Sequence, residues 1–109
     1  MTISVRDVGE AKVVDVSGDV DLGTSGDLRR TLFTTLPLTY TLALNLQAIR
    51  YIDSSGIATL IEVLSDSQRL KKNFVLFGLS SAIEEVFRLT HVIRIFRIVQ
   101  TEQEAVGGA

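Results

Sequence analysis

The sequence predicts an α/β fold with a mixed four- to five-stranded sheet and helices packed mainly on one face. Apolar segments with the period of strands are separated by amphipathic segments through the second half of the chain, a pattern typical of parallel strands joined by helical crossovers. The opening apolar pattern breaks at Gly9-Glu10 and resumes at Val13, which predicts an antiparallel hairpin. A chain of 109 residues, 46% of them hydrophobic, suffices for one domain over residues 1–109.

The individual elements follow from the spacing of the apolar residues. Strands are predicted near residues 3–8, 13–17, 42–46, 74–77 and 93–98, with residues 18–21 as a loop. The clearest helix includes residues 57–64, because the apolar residues there recur on one helical face. These residues are Ile57, Leu60, Ile61 and Leu64.

Polar residues predict where the remaining helices begin. Thr24 or Ser25 is expected to start a helix over about residues 24–33. Two later helices are each preceded by the spacing of a capping box. The pairs are Ser81 with Glu84 and Thr101 with Glu104. Residues 107–109 are expected to form a frayed tail.

Composition narrows the class of protein. A net charge of −2 argues against direct binding of nucleic acid, which favours a basic stripe. The chain has no cysteine, so disulfides and thiolate chemistry are excluded and a cytoplasmic location is expected. Residues 1–6 are too polar for a signal peptide, and no apolar run is long enough for membrane insertion.

No combination of residues predicts catalysis, so we expect that the chain is not an enzyme. His91 is the one histidine in the sequence, and Ser54 and Ser55 lack the glycine pattern of a nucleophile elbow. The glycines are scattered and form no phosphate-binding loop. With no cysteine and one histidine, the sequence offers no metal-binding pattern, and no cofactor is predicted.

The most informative segment is Tyr51–Ile57, which joins an apolar strand to the clearest helix. Its serines, Ser54 and Ser55, lie where backbone N–H groups are unpaired and the helix end is partly positive. Ser54 is expected to be the N-cap, since serine is among the preferred residues there. A phosphate at the same place would also find hydrogen-bond donors.

This segment resembles the signature of the STAS domain family, typified by bacterial anti-sigma factor antagonists. The similarity includes the segment at residues 44–50 and the tetrapeptide formed by residues 53–56, and it extends over nearly the whole chain. Further similar segments are Gly18–Leu22, Val86–Thr90 and Thr101–Ala105. The tetrapeptide alone is a weak signal, whereas its occurrence in order with these segments is a specific one.

The resemblance implies a phosphorylation switch at Ser55. In the family, the unphosphorylated protein binds an anti-sigma factor that is also a serine kinase, and this releases a sigma factor. Phosphorylation abolishes the binding, and a serine phosphatase restores it. The kinase carries the ATP and magnesium, so this chain needs no cofactor of its own.

The resemblance also suggests roles for the neighbours of Ser55 in binding the partner. Asp53 is expected to shape the turn or orient the Ser55 hydroxyl, Ser54 to cap the helix, and Asp21 to contribute to docking from a nearby loop. For Asp21 and Asp53, an ordinary turn or cap role is the alternative. Gly56 either lets the partner approach closely or relieves crowding in the first helical turn.

Phosphorylation is expected to act on binding more than on the fold. The helix start attracts the added charge, whereas Asp53 and Asp21 repel it, so the stability of the domain should change little. A dianion buried without a partner in an interface has a larger cost.

Two other functions remain open. One is a STAS interaction domain within a stress-signalling or lipid-transport complex, and the other is a small nucleotide or metabolite sensor. Two positions depart from the family pattern. His91 stands where glycine often precedes the last strand, which predicts an altered turn, and Gly26 stands where a better helix former is common.

Overall fold

The computed structural model describes residues 1–107 and contains a five-stranded sheet in the order β1-β2-β3-β4-β5. The strands are β1 (Thr2–Val8), β2 (Ala11–Val20), β3 (Thr41–Ile52), β4 (Asn73–Phe77) and β5 (Arg97–Val99). The helices are α1 (Ser25–Thr35), α2 (Ser54–Arg69), α3 (Ser81–Leu89) and α4 (Glu102–Gly107), with a short 3-10 helix at Leu36–Leu38.

The sheet is mixed, as the sequence predicts. Strands β1 and β2 form the antiparallel hairpin, turning at Gly9, while β2, β3, β4 and β5 are parallel. Helices α1, α2 and α3 connect the parallel strands and cover one face, which holds the main core. Helix α4 covers part of the other face, where Ala105 packs against Val13, Ala43 and Phe77. The prediction of helices mainly on one face is therefore confirmed.

Leucine, isoleucine and valine fill the core, and a few phenylalanines complete it. Alternation puts Leu42, Leu44 and Leu46 on the face under the helices. Phe87 of α3 meets Phe96 edge to face, with ring centroids 5.7 Å apart. Among the helices of residues 1–107, none is both long and apolar enough to cross a bilayer.

Strands β2 and β3 are longer than the sequence predicts, and this extension positions the segment around Ser55. Residues 18–20, predicted as loop, continue β2, and β3 runs on to Ile52. The register between the two strands shifts between Asp15 and Ser17 and again between Gly18 and Asp19. These irregularities interrupt the simple alternation from which strand ends are read.

The last strand is shorter than predicted and begins later. Residues 93–96 form turns, and β5 contains only Arg97–Val99. The reason is that α3 ends with hydrogen bonds that hold the next residues: the N–H groups of Val92 and Ile93 both donate to Phe87 O. Val92 and Phe96 are buried in the core, so the apolar residues that mimic a strand pack from a turn instead.

The start of α3 corrects a second prediction. The N-cap is Ser80, whose Oγ accepts a hydrogen bond from Ile83 N at 3.2 Å, and Ser81 is the first helical residue. For α4 the N-cap half of the predicted capping box is present, because Glu104 N donates to Thr101 Oγ1 at 3.1 Å. The Glu104 carboxylate accepts a hydrogen bond from Thr101 Oγ1 rather than from the Thr101 backbone N–H. Gly107, predicted to lie in a frayed tail, is the last residue of α4, and residues 108–109 lie outside the described part of the chain.

Helices α2 and α3 end in the same way, each with a non-glycine residue in the left-handed conformation. Lys71 has a φ of 58° and His91 a φ of 62°. In α3, His91 N donates to Arg88 O and Val92 N to Phe87 O, which is the paired bonding of a Schellman motif. His91 thus adopts the turn that glycine favours, and the altered turn expected from the sequence is not seen.

Candidate functional site

The segment around Ser55 lies at the carboxyl ends of two neighbouring parallel strands. Val20 at the end of β2 pairs with Ile52 at the end of β3, and Asp53 N donates to Val20 O at 3.1 Å. The loop after β2, which contains Asp21, therefore lies beside the start of α2. The structure brings these sequence-predicted residues together at one edge of the sheet.

Asp53 is the N-cap of α2. Its Oδ1 atom accepts hydrogen bonds from Ser55 N at 2.9 Å and Gly56 N at 3.2 Å, which satisfies unpaired donors of the first turn. The expectation that Ser54 caps this helix is wrong: Ser54 is the exposed first residue of α2. Aspartate and serine are both preferred N-caps, and the end of β3 decides which of the two takes the position.

The Ser55 hydroxyl is held by the same carboxylate oxygen. Its Oγ atom donates to Asp53 Oδ1 at 2.5 Å, and the side chain is half-buried. This bond fixes the orientation of the hydroxyl and leaves its oxygen lone pairs available. An electrophile approaching from solvent would meet an oriented oxygen beside the positive end of a helix.

The hydrogen bonds at Asp53 also set its charge state. The hydrogen bond from Ser55 is the largest cause that lowers the pKa of the Asp53 carboxyl below its ordinary value, and backbone N–H groups add to the effect. Partial burial works in the opposite direction and is outweighed. Asp53 is therefore an anion at neutral pH, in a position to act as an acceptor.

Gly56 is buried at the contact between α2 and the ends of β2 and β3. A Cβ atom at this position would lie 2.7 Å from Ile52 Cγ1 and 2.8 Å from Val20 Cγ1. The absence of a side chain therefore lets the helix begin directly above the strand ends. This observation supports the crowding explanation for Gly56, and a role in binding the partner stays a prediction.

Asp21 shapes the loop between β2 and α1. Its Oδ1 accepts hydrogen bonds from Gly23 N at 2.9 Å and from Thr24 N at 3.1 Å. Thr24 lies at the N-cap of α1 but makes no capping bond with its own side chain. The structure thus gives Asp21 a turn role, and docking by the same residue remains a prediction.

Two exposed apolar side chains flank the site, and the sequence reasoning did not single them out. Leu22 is 82% exposed and Tyr51 is 52% exposed. Both lie next to the paired strand ends, one after β2 and one near the end of β3. Exposed apolar residues beside an oriented polar turn are typical of a protein contact surface. The available signal in the sequence is their position in the similar segments, Leu22 directly after Asp21 and Tyr51 two residues before Asp53.

Comparison with known proteins identifies the family. The model of the STAS domain matches residues 2–105. The chain belongs to the STAS domain family. Its STAS domain is similar to an anti-sigma factor antagonist from Mycobacterium paratuberculosis, with 22% identity, a TM-score of 0.89, and coverage of 98% of this chain and 92% of that chain.

Two further solved structures show the range of proteins that share this fold. The Bacillus cell fate determinant SpoIIAA in its phosphorylated form has 19% identity and a TM-score of 0.74, over 98% of this chain and 98% of that chain. A murine anion transporter of solute carrier family 26 has 14% identity and a TM-score of 0.77, over 94% of this chain but 18% of that chain. At these identities the likenesses establish the fold alone.

Proposed function

We propose that this STAS domain is an anti-sigma factor antagonist of a bacterial partner-switching system, controlled by phosphorylation of Ser55. In its unphosphorylated form it binds an anti-sigma factor serine kinase in the cytoplasm and thereby releases a sigma factor. A serine phosphatase reverses the modification. The chain itself is not an enzyme, and its role is that of a kinase substrate and binding partner.

The observation that carries this proposal is the 2.5 Å hydrogen bond from Ser55 Oγ to Asp53 Oδ1 at the start of α2. It presents one oriented hydroxyl at a helix end that tolerates an added phosphate. The neighbouring Ser54 hydroxyl is exposed, and among the described residues it has no hydrogen-bond partner. The geometry therefore favours Ser55 over Ser54 as the acceptor, in agreement with the family pattern.

The transfer needs only an oxygen nucleophile from this chain. Ser55 Oγ would form a bond to the γ-phosphorus of ATP held by the kinase, while the bond to the leaving ADP oxygen breaks. The kinase supplies ATP, magnesium and the catalytic base, and Asp53 orients the hydroxyl. Asp21, Ser54 and Gly56 belong to the surface that the partner would cover.

Phosphorylation would change the partner surface more than the domain. The ester has no hydroxyl hydrogen, so the bond to Asp53 is lost and two anionic groups become neighbours. The backbone bonds from Ser55 and Gly56 to Asp53 do not require that hydrogen, so the helix start should persist. In a complex, the dianion would lose hydration beside Leu22 and Tyr51, which weakens binding.

The test is a phosphorylation assay with the anti-sigma factor kinases of the same genome, Mg-ATP and intact mass measurement. The wild type should gain one phosphate, Ser55→Ala should gain none, and the matched variant Ser54→Ala should still be modified. Ser55→Asp should bind the kinase more weakly. A phosphate on Ser55→Ala would show that another residue is the acceptor, and no phosphate with any kinase would favour an interaction domain of a different complex.

A further inference from the structure

The end of the sheet opposite Ser55 has a separate concentration of cations and exposed apolar side chains. We call it the basic end and define it by residues 36–40, 70–73 and 88–97, which precede or begin β3, β4 and β5. Because these strands are parallel, all three segments lie at the same end of the sheet, where the strands begin. Helix α2 runs from Ser55 toward this end of the sheet. At 1.5 Å per residue, its length puts the basic end roughly 20 Å from Ser55.

Cations without a carboxylate partner gather at this end. Four cations in residues 1–107 form no ion pair, and these are Lys71, Lys72, Arg94 and Arg97. Each of the remaining lysines and arginines forms one. Lys72 Nζ donates to Thr39 O at 2.7 Å and Arg97 to Asn73 Oδ1 at 3.2 Å, so neutral groups hold these two cations. One exposed acidic residue without an ion pair in residues 1–107, Glu10, also lies at this end, where its backbone oxygen accepts a hydrogen bond from Thr39 Oγ1.

Large apolar side chains protrude among these cations. Leu89 is 69% exposed, Leu38 is 68% exposed and Tyr40 is 61% exposed. Ile95 and Leu70 are also exposed. They come from three different connections rather than from one helix, so they form a broad surface instead of a single groove. This arrangement suits a laterally extended contact.

One depression within the basic end is suited to an anionic group. It has a volume of about 400 Å³ and is lined by Arg88, His91, Ile93 and Arg94. None of these lining residues is acidic. Arg88 is paired with Glu84 and Glu85 on its own helix. Of the two arginines that line the depression, Arg94 is therefore the one without an ion pair.

The backbone at the basic end is strained at two of these residues. Lys71 and His91 adopt left-handed conformations that glycine adopts without strain. In both turns the chain instead has a long polar side chain, and that of Lys71 adds a cation to the basic end. Strain retained at two turns of one surface is consistent with a functional role of that surface.

We propose that the basic end is a docking surface for an anionic phospholipid bilayer. Lipid phosphates would pair with Lys71, Lys72, Arg94 and Arg97, while Leu89 and Ile95 enter the headgroup layer without crossing the membrane. The dispersed apolar side chains favour this occupant over an acidic protein, which would need a more defined groove or pocket for its own side chains. The contact is independent of the proposed phosphorylation switch and would leave Ser55 facing away from the membrane.

The test is co-sedimentation of the full chain with phosphatidylcholine vesicles, with and without phosphatidylglycerol. Binding is expected only to the vesicles that contain phosphatidylglycerol and should weaken with added salt. Neutralising two cations in Lys71→Gln/Arg94→Gln should lower partitioning by about 25-fold, at about five-fold per cation. Leu89→Ser/Ile95→Ser should also release the protein.

The matched control is Arg29→Gln/Arg30→Gln, which makes the same change in net charge on α1, where both arginines are ion-paired. It should bind vesicles like the wild type, and circular dichroism should show that every variant is folded. Equal binding to both kinds of vesicle, an equal loss in the control, or no sedimentation at all would overturn the proposal. Binding to soluble polyglutamate without binding to vesicles would assign the surface to an acidic protein.

Discussion

At the scale of single residues, one carboxylate oxygen organises the candidate site. Asp53 Oδ1 holds the first backbone donors of α2 and the Ser55 hydroxyl at the same time. A change at Asp53 therefore affects the helix start and the proposed acceptor together. A change at Ser55 affects only the hydroxyl bond, because the backbone bonds remain.

The lowered pKa of Asp53 predicts a dependence of stability on pH. Because folding lowers this pKa below its ordinary value of 3.8, the contribution to stability is complete above that value and is lost as the pH falls through the folded-state pKa. Asp53→Asn should therefore flatten the loss of stability below about pH 4. Urea unfolding of both proteins over a pH series measures this effect.

Part of the acid dependence should remain in Asp53→Asn. The guanidinium of Arg6 lowers the pKa of Asp15 by hydrogen bonding. Asp15 therefore also contributes stability that is lost as the pH falls through its folded-state pKa. Asp15→Asn is therefore the matched variant at a distance from the site. Identical pH profiles for the wild type and Asp53→Asn would contradict the assignment to Asp53.

Gly56 and Gly26 form a matched pair for testing the packing at the start of α2. Gly56→Ala puts a methyl group against Val20 and Ile52 and should destabilise the fold by about 1–3 kcal/mol. Gly26→Ala meets no atom within 4 Å and should stabilise it by up to about 1 kcal/mol. Thermal or urea unfolding compares them, and equal effects of the two variants would show that the close contact at Gly56 is not limiting.

Residue types alone could predict the turn but not the atom that caps it. Asp53 and Ser54 are adjacent, and both are good N-caps, so the sequence left the choice to where β3 ends. That end depends on a register shift against β2, which is a tertiary feature. The family pattern supplied Ser55, whereas the hydrogen bond to Asp53 had to come from the structure.

At the scale of elements, α3 provides the sharpest test of a corrected assignment. Ser80→Ala removes the acceptor for Ile83 N and should cost about 1 kcal/mol of unfolding free energy. Ser81→Ala, one residue later and exposed, should change it by less than about 0.5 kcal/mol. Urea unfolding of the two variants decides between them, and a larger loss in Ser81→Ala would restore the cap that the sequence suggested.

The elements that were predicted well have long, regular apolar patterns. Helix α2 and the β1–β2 hairpin are of this kind, and both are present, although β2 continues beyond its predicted end. Strand β5 was placed too early because Ile93 and Ile95 alternate as in a strand, while the end of α3 holds this segment in turns. An alternation of apolar residues shows which side chains favour burial. It does not distinguish a strand from a hydrogen-bonded turn that follows a helix.

At the scale of the whole molecule, charge is distributed unevenly between the two ends of the sheet. Asp21 and Asp53, which form no ion pair within residues 1–107, lie at the end with Ser55. The four unpaired cations lie at the basic end, together with one carboxylate that forms no ion pair within residues 1–107, that of Glu10. A small net charge of −2 thus conceals a separation of charge that composition alone could not predict, because it depends on which strands are parallel.

The whole domain should tolerate a negative charge at residue 55. Ser55→Asp adds a carboxylate near Asp53 but keeps the backbone caps, so its unfolding free energy should stay within about 1 kcal/mol of the wild type. Circular dichroism and urea unfolding measure this, with Ser55→Ala as the control for loss of the hydroxyl bond. A large loss of stability in Ser55→Asp alone would place the switch in the fold rather than in the interface.

The lengths of the strands decide where the sheet is paired on both sides. Strand β3 pairs with both β2 and β4 only over Thr41–Asn45, and its last residues up to Ile52 pair with β2 alone, whereas β5 is a short edge strand that follows a segment of turns. Local opening is cheapest where few backbone bonds must break. Amide hydrogens of Thr41–Asn45 should therefore exchange among the slowest and those near β5 among the fastest, and the end of β3 that leads into α2, with a neighbour on one side only, should exchange at intermediate rates.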